Sequence, residues 1–196
     1  MPTSTSQPSQ AATRSPIRLI CIILLVLFVL LGLAVLITWL VVRPKRIIYT
    51  IENSSIQNLN LTNDHLSATF YFTIRSYNPN KRASFYYDSM DATVNYNDQN
   101  LAFAAVQPFY QRKRNVTRLN LEFVARSTAL PSAVSKDFLL EKSTGKVQLD
   151  VWLKARIRYK VGAWKSRRRT MRISCSPVLD FNRFKNLKRT YCATEL

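Results

Sequence analysis

Few side chains in this sequence combine residue types and spacing that could support catalysis. Asp88 and Asp91 come nearest to a paired acid and base, but they are three residues apart in a strand-like stretch. Successive side chains of a strand point to opposite faces, so we expect the two carboxylates on opposite sides of the sheet. The single histidine, His65, leaves a triad or a His-rich metal site incomplete, and three scattered glycines exclude clustered phosphate-binding loops. The sequence therefore predicts no catalytic residue, no metal ligand and no cofactor, and a protein that is not an enzyme.

Basic side chains have the spacing that most strongly suggests binding chemistry. Four of them alternate with apolar residues along one predicted strand, which places them on one face about 6.6 to 7 Å apart. The predicted patch for anions or a membrane surface consists of Lys154, Arg156, Arg158, Lys160, Lys165, Arg167, Arg168, Arg172, Arg112, Lys113 and Arg114. A further basic cluster, Arg183, Lys185, Lys188 and Arg189, follows near the C-terminal end of the sequence.

The charge allows two interpretations. The formal net charge is +18, from 29 Lys plus Arg against 11 Asp plus Glu. One interpretation is structural, because the outward side of an antiparallel sheet must be polar and basic residues protect strand edges. The other is attraction to anionic lipid or to acidic cell-wall polysaccharide. Nucleic acid would use the same cations, but without an RNP-like or zinc-knuckle pattern, and with a membrane segment, we predict no nucleic-acid partner.

An uncharged apolar segment at residues 19–42 is long enough to cross a bilayer, which takes about 20 helical residues. The main alternative is a signal peptide, whose apolar region is shorter and ends in a small-residue cleavage site. We therefore predict a retained transmembrane helix that partners the lipid bilayer. Residues 1–18 are rich in Ser, Thr, Pro and Gln and predict a disordered cytosolic tail. Residues 43–196 form the predicted ectodomain, which holds 27 of the 29 cations.

Orientation follows from conflicting signals. Two Arg and the free amine precede the segment and three basic residues follow it, which slightly disfavours a cytosolic N-terminus. Cys175 and Cys192 could close a disulfide if the domain is extracellular or lumenal. Three glycosylation sequons begin at Asn53, Asn60 and Asn115, the last two in stretches that read as loops. We predict a cytosolic N-terminus and an extracellular C-terminal domain.

The predicted ectodomain alternates apolar and polar residues with a period of two. The longest such run extends over 147–161, similar runs cover 47–51, 66–76, 92–96, 101–105 and 119–123, and another strand is predicted over 168–175. Turn residues separate them, and one helix is predicted over 131–140. About seven short strands without intervening helices predict an all-β, antiparallel sandwich preceded by one transmembrane helix.

Several strings in this sequence carry a family resemblance. NPNKRASFYYD, PFYQ, LDVWLKARIRYKVGAWKSR and FKNLKRTYC occur in that order, and Asn78, Pro79 and Asn80 form the first motif. The chain resembles the plant harpin-induced and non-race-specific disease resistance-like family, whose ectodomain is a late embryogenesis abundant domain of the second type. The resemblance implies an immunoglobulin-like or fibronectin-III-like sandwich, no catalytic residues and roles in pathogen response and abiotic stress. It also implies a plasma-membrane location, or alternatively plasmodesmata or endoplasmic reticulum.

We therefore expect a membrane-anchored interaction protein whose basic ectodomain contacts wall polyanions or a membrane surface. Membrane-protein partners are also possible, and the oligomeric state is left open. The alternative is a lipid-handling module at membrane contact sites, in which the interior of the sandwich would open to take an acyl chain.

Overall fold

The computed structural model describes residues 16–42, with side chains to residue 37, together with residues 45–180 and 189–195. Contacts divide the chain into two compact units, Met1–Arg43 and Pro44–Leu196. In the first unit, helix α1 extends over Pro16–Val42, three residues longer at its start than the predicted segment. Its stretch Pro16–Ile37 has a mean hydropathy of 3.5 and is long and apolar enough to span a membrane.

The second unit is built almost entirely of antiparallel strands. Its elements in chain order are β1 (Ile48–Thr62), β2 (His65–Tyr77), β3 (Ala83–Tyr96), β4 (Gln99–Val106), β5 (Phe109–Gln111), β6 (Val116–Ala129), α2 (Ser132–Thr144), β7 (Lys146–Gln148), β8 (Asp150–Val161), β9 (Trp164–Lys165), β10 (Arg169–Cys175), β11 (Val178–Asp180), β12 (Thr190–Tyr191) and β13 (Ala193–Glu195). The predicted antiparallel sandwich, which follows one apolar helix along the chain, is confirmed, with more strands than the seven expected.

Two sheets make up most of the domain. The first has the strand order β12-β1-β2-β6. The second has the order β13-β10-β8-β3-β4, with β5 beside β3 and β9 beside β8, while β11 pairs separately with β7. Inward side chains of both sheets form one apolar core, in which the Phe72 and Phe123 rings meet edge to face at 5.8 Å. Period-two alternation in the sequence thus becomes one buried and one outward side for each long strand.

Tight turns and one helix complete the domain. Asn63-Asp64 and Asn97-Asp98 have positive φ at both residues, which is the geometry of a two-residue hairpin. Helix α2 ends at Gly145, whose left-handed φ of 81° lets its N–H donate to carbonyls of the last turn. The prediction of a helix over 131–140 therefore found the element but ended it four residues early. Phe138 of α2 is fully buried, and its ring lies edge to face with that of Tyr96 at 5.0 Å.

Candidate functional site: an outward basic sheet face and a buried amide network

Strand β8 positions the predicted basic residues on the outward side of the second sheet. Val151, Leu153 and Ala155 are buried, whereas the basic residues between and beyond them point outward. The strand lies between β10 and β3, so the residues opposite each cation determine its electrostatic environment. We call this surface the outer face. Its cations are Lys154, Arg156, Arg158, Lys160, Arg168 and Arg172.

Asp88 neutralises part of the outer face. Its carboxylate accepts hydrogen bonds from Arg158, with Nη2 to Oδ1 at 2.5 Å, and from Nε of Arg168 at 3.2 Å. Because Arg158 donates to the charged form, the pKa of the Asp88 carboxyl lies below its usual value, and Arg168 adds to the effect. Two of the predicted patch cations are therefore paired within the fold.

The expectation that Asp88 and Asp91 point to opposite faces is wrong. The pairing of β3 with β8 shifts by one residue between Tyr87 and Ser89, which is a β-bulge at Asp88. An extra residue in one strand reverses the parity of those that follow it. Both carboxylates therefore lie on the outer face, and Asp91 stands opposite Lys154.

A groove of about 420 Å³ occupies the far end of the outer face. Lys154 and Arg172 stand opposite each other in the middle of its lining, between Asp91 on β3 and Glu195 on β13. Trp152 forms another part of the lining, and 47% of its surface is exposed. In the described part of the chain, neither Lys154 nor Arg172 has a carboxylate oxygen within 4.0 Å. The groove thus combines two adjacent cations that form no ion pair, a flanking carboxylate on each side and a flat apolar ring.

Aromatic rings accompany the basic residues at the opposite end of the outer face. The Tyr86 and Tyr110 rings are 4.5 Å apart, and Lys165 places its ammonium 4.8 Å from the Tyr86 ring centre. Lys160 pairs with Lys165 across the β8–β9 hairpin, which turns at Gly162 with φ of 58°. Arg156 is exposed opposite Ser89 and Thr170, and Arg167 is exposed before β10. Of the predicted C-terminal cluster, Arg183, Lys185 and Lys188 lie outside the described residues, and Arg189 is exposed.

The Asn78-Pro79-Asn80 motif forms a buried network of amides. The side-chain amide of Asn78 donates to the carbonyls of Ala83 and Arg112 at 3.0 and 2.9 Å, while its backbone N–H donates to the Asn115 carbonyl. Asn80 pairs with the backbone of Lys45, accepting from its N–H at 2.6 Å and donating to its carbonyl at 2.8 Å. These bonds satisfy buried polar groups in three separate segments.

A second buried polar cluster adjoins the motif. The hydroxyls of Tyr49 and Tyr87, from different sheets, are 2.7 Å apart, and Tyr87 also bonds Oε1 of Gln111. Gln111 in turn donates to the Ser76 carbonyl at 2.9 Å. Burial raises the pKa of Tyr87 to about 12 and that of Tyr49 well above its usual value. Gln111 belongs to the PFYQ string, but only the fold shows that its side chain bonds Ser76 in the first sheet and Tyr87 in the second.

The predicted glycosylation residues Asn53, Asn60 and Asn115 are all exposed. Asn115 lies in the turn before β6, as expected of a loop residue, but Asn60 is paired with Ser67 within the long strand β1. The loop expectation for Asn60 is therefore wrong, because β1 continues to the hairpin turn at Asn63.

Cys175 and Cys192 are joined by a disulfide. Cys175 ends β10 in the second sheet, and the Cys192 N–H donates to the carbonyl of Tyr49 in the first. The described residues contain no group of three or more His, Cys, Asp or Glu side chains that could hold a metal ion. His65 is exposed at the start of β2, and its Nδ1 lies 2.7 Å from the Asn63 carbonyl oxygen.

The chain thus combines an apolar helix that suggests a membrane anchor with an antiparallel sandwich that carries a basic outer face and a buried amide motif. These features define a class of β-sandwich proteins with an N-terminal apolar helix. The late embryogenesis abundant protein family model matches residues 73–176, more than half of the chain. An uncharacterised Arabidopsis thaliana protein is 38% identical, over 93% of this chain and 85% of its own. Arabidopsis NDR1/HIN1-like proteins 10 and 3 are 30% and 32% identical, over 80% and 78% of this chain and 70% and 68% of theirs.

This chain belongs to the late embryogenesis abundant family, as a relative of the defence- and stress-related NDR1/HIN1-like proteins. The matched residues include the amide motif, β8 and most of the outer face. The family is not known for enzymatic activity.

Proposed function

We propose that this chain is a single-pass, plasma-membrane-anchored interaction protein of plant pathogen response and abiotic stress. Helix α1 holds the β-sandwich at the bilayer with the C-terminal domain extracellular. The outer face engages acidic cell-wall polysaccharide of the pectin type.

The observation that carries this proposal is the groove beside Trp152. Lys154 and Arg172 offer two adjacent cations that the described chain leaves without ion pairs. Like charges placed opposite each other in a sheet repel, and an anion bound between Lys154 and Arg172 offsets that repulsion more directly than Asp91 and Glu195, which flank the two cations without pairing with them. An exposed indole supplies a flat apolar surface against which a sugar ring packs. Carboxylate and sugar ring together are the chemistry of a uronic acid unit.

The disulfide supports the extracellular placement. Disulfides form and persist in oxidising compartments and are rare in the cytosol. The Cys175–Cys192 bond therefore favours the same orientation as the three exposed sequons.

The test measures binding of polygalacturonate to the full chain in nanodiscs of phosphatidylcholine. Replacing both groove cations, Lys154→Gln with Arg172→Gln, is expected to weaken binding about tenfold or more, since each lost charge-assisted contact is large. Trp152→Ala is expected to weaken binding at unchanged net charge. Arg158 stays intact in these variants because Asp88 depends on it for its ion pair.

The matched control removes two cations elsewhere, Lys113→Gln with Arg114→Gln, and is expected to retain polygalacturonate binding. Loss of binding in this control but not in the groove variant would contradict the proposal, because polyanion binding would then depend on Lys113 and Arg114 and not on the groove. Binding that survives high salt would also contradict the proposal, because exposed charges are screened at that ionic strength.

Lipid handling is the competing function and gives a different outcome. It requires an acyl chain between sheets whose interior is filled by fully buried side chains such as Phe70, Phe72 and Phe123. Stoichiometric lipid that co-purifies with the protein on solvent extraction would favour lipid handling over adhesion.

A further inference from the structure

Three loop segments of the sandwich are tied into one cluster by the amide motif. The side chain of Asn80 bonds both backbone groups of Lys45, at the start of the domain. Its carbonyl accepts from the Arg114 N–H at 3.2 Å, and Asn78 bonds the carbonyls of Arg112 and Asn115. Segments 45–46, 78–83 and 112–115 are thus held side by side at one end of the domain.

This cluster is strongly and uniformly basic. Its cations are Lys45, Arg46, Lys81, Arg82, Arg112, Lys113 and Arg114, and we call them the basic collar. All seven are exposed, and within the described residues none forms an ion pair. The three segments contain no acidic residue. Seven cations converge here without compensation, so the collar attracts a surface of negative charge.

Chain length limits how far the collar can be from the end of the apolar helix. Only Arg43 and Pro44 stand between Val42, the last residue of α1, and Lys45. Three extended Cα–Cα steps reach at most roughly 11 Å. That reach is comparable with the Debye length of about 8 Å at physiological ionic strength. If α1 crosses a bilayer, headgroup charge therefore acts on Lys45 and on the segments that Asn80 ties to it.

We propose that the basic collar binds the anionic headgroups of the leaflet from which α1 emerges. The buried amides of Asn78 and Asn80 keep its three segments together, so the cations act as one surface rather than as separate mobile loops. On the cytoplasmic side of membranes, polybasic segments beside a transmembrane helix are attracted to anionic lipids, with each Lys or Arg adding to the attraction. The same electrostatics apply to the collar wherever the leaflet that it faces carries anionic headgroups.

Most of the collar lies away from the groove of the outer face. Ser84 lies beside the segments 78–83 and 112–115 and Thr93 lines the groove, so nine strand residues, or roughly 30 Å, separate them along β3. Arg46 is the exception, because its Nη1 donates to the carbonyl of Thr194, the neighbour of groove residue Glu195, at 3.4 Å. The collar proposal holds whether or not the outer face binds polysaccharide, since the two sites share no residue.

Hydrogen exchange of the full chain in nanodiscs tests the proposal. One set of discs contains phosphatidylcholine alone, and the other includes about 20 mol% phosphatidylserine. Backbone amides in segments 78–83 and 112–115 are expected to exchange several-fold more slowly in the anionic discs. Peptides from β8 report on the fold and are expected to exchange equally in both.

Two variants assign the effect to its residues. The collar variant Lys81→Gln, Arg82→Gln, Lys113→Gln, Arg114→Gln is expected to lose the difference between the two kinds of disc. The matched variant Lys154→Gln, Arg172→Gln is expected to keep it. Equal exchange of the unmodified chain in both discs would overturn the proposal without any substitution. Inorganic phosphate that protects these segments in neutral discs would identify free anion, not the bilayer, as the ligand and would likewise overturn it.

Discussion

Single residues decide how much of the basic surface is available to a ligand. Arg158 and Arg168 have the same outward parity as Lys154, but Asp88 pairs with both of them. Arg172 forms no ion pair with a described residue, because even the carboxylate of Glu195, which stands opposite it, is more than 4.0 Å away. A count of cations along β8 and β10 therefore overstates the charge that this surface offers, because the Asp88 carboxylate lies on the same face.

Replacing the Asp88 carboxylate is expected to cost stability only where it is ionised. Arg158 holds the pKa of the Asp88 carboxyl below its usual value of 3.8, so the charged form stabilises the fold. The stabilisation is fully present above the unfolded-state pKa and is lost as the pH falls through the folded-state pKa. Asp88→Asn should thus lower the free energy of unfolding by about 1 kcal/mol at neutral pH, where an exposed ion pair contributes little more.

Urea unfolding of the full chain in detergent micelles, at pH 7 and again well below pH 3.8, measures this difference. The gap between Asp88→Asn and the unmodified chain should close at the lower pH. Asp98→Asn is the matched control, because Asp98 is exposed in a turn whose positive φ suits Asn equally. A gap that persists at low pH would mean that Asp88 acts through packing rather than charge.

At the residue scale, the sequence predicts which face of a strand a side chain lies on, but not which distant residue it contacts. The parity of Lys154 and Arg156 follows from the alternation of β8 alone. The outward position of Asp91 depends on a bulge, which leaves no local signal in the sequence. Arg168, which pairs with Asp88, is 80 residues away from it in the chain. The pairing of Asn80 with Lys45 spans 35 residues and is equally invisible without the fold.

At the scale of elements, the segment 190–195 joins the two sheets. β12 pairs with β1 in the first sheet, and β13 pairs with β10 in the second. Cys192 lies between these two short strands and is bonded to Cys175 at the end of β10. The disulfide therefore stabilises the passage of segment 190–195 from one sheet to the other at one edge of the sandwich. Without it, only two residue pairs of β12 and three of β13 would hold this segment.

Breaking this disulfide is expected to lower the free energy of unfolding substantially. The bond links residues 17 apart, and closing a loop of that length constrains the unfolded chain by about 3 kcal/mol. Cys192→Ser should shift the urea midpoint accordingly, and reductant should do the same to the unmodified chain. Cys21→Ser, on α1, should leave the midpoint unchanged. If Cys192→Ser and Cys21→Ser behave alike, the disulfide contributes nothing to stability beyond the strand pairing of the terminal segment.

Long elements are predictable from the sequence, and short ones are not. Most long strands and the Asn97-Asp98 hairpin turn follow from periodicity and from residues that accept positive φ. β1 is the exception, because the periodicity predicts a strand only over 47–51 whereas β1 continues to Thr62. β5, β9 and β11 have two or three residues each, too few to show a period, and exist because a neighbouring strand pairs with them. This is why more strands are present than the predicted seven.

At the scale of the whole molecule, orientation decides which compartment the outer face meets. Asn53, Asn60 and Asn115 are exposed sequon residues, so a domain that enters the secretory lumen presents them to glycosylation. Expressed in a plant or yeast host, the full chain should migrate faster on a gel after glycosidase treatment. The shift should disappear in the variant Asn53→Gln, Asn60→Gln, Asn115→Gln. It should persist in Lys113→Gln, Arg114→Gln, which leaves all three sequons intact.

Thiol labelling of the same preparations gives an independent reading of orientation, because the disulfide and the glycans depend on the same compartment by different chemistry. A lumenal domain should leave Cys175 and Cys192 unlabelled until reductant is added. Absent glycans with an intact disulfide would mean only that the sequons are unused, and the domain would still be assigned to the oxidising side. A band unshifted by glycosidase together with free thiols at both cysteines would instead place the domain in the cytosol, where wall polysaccharide cannot reach the outer face.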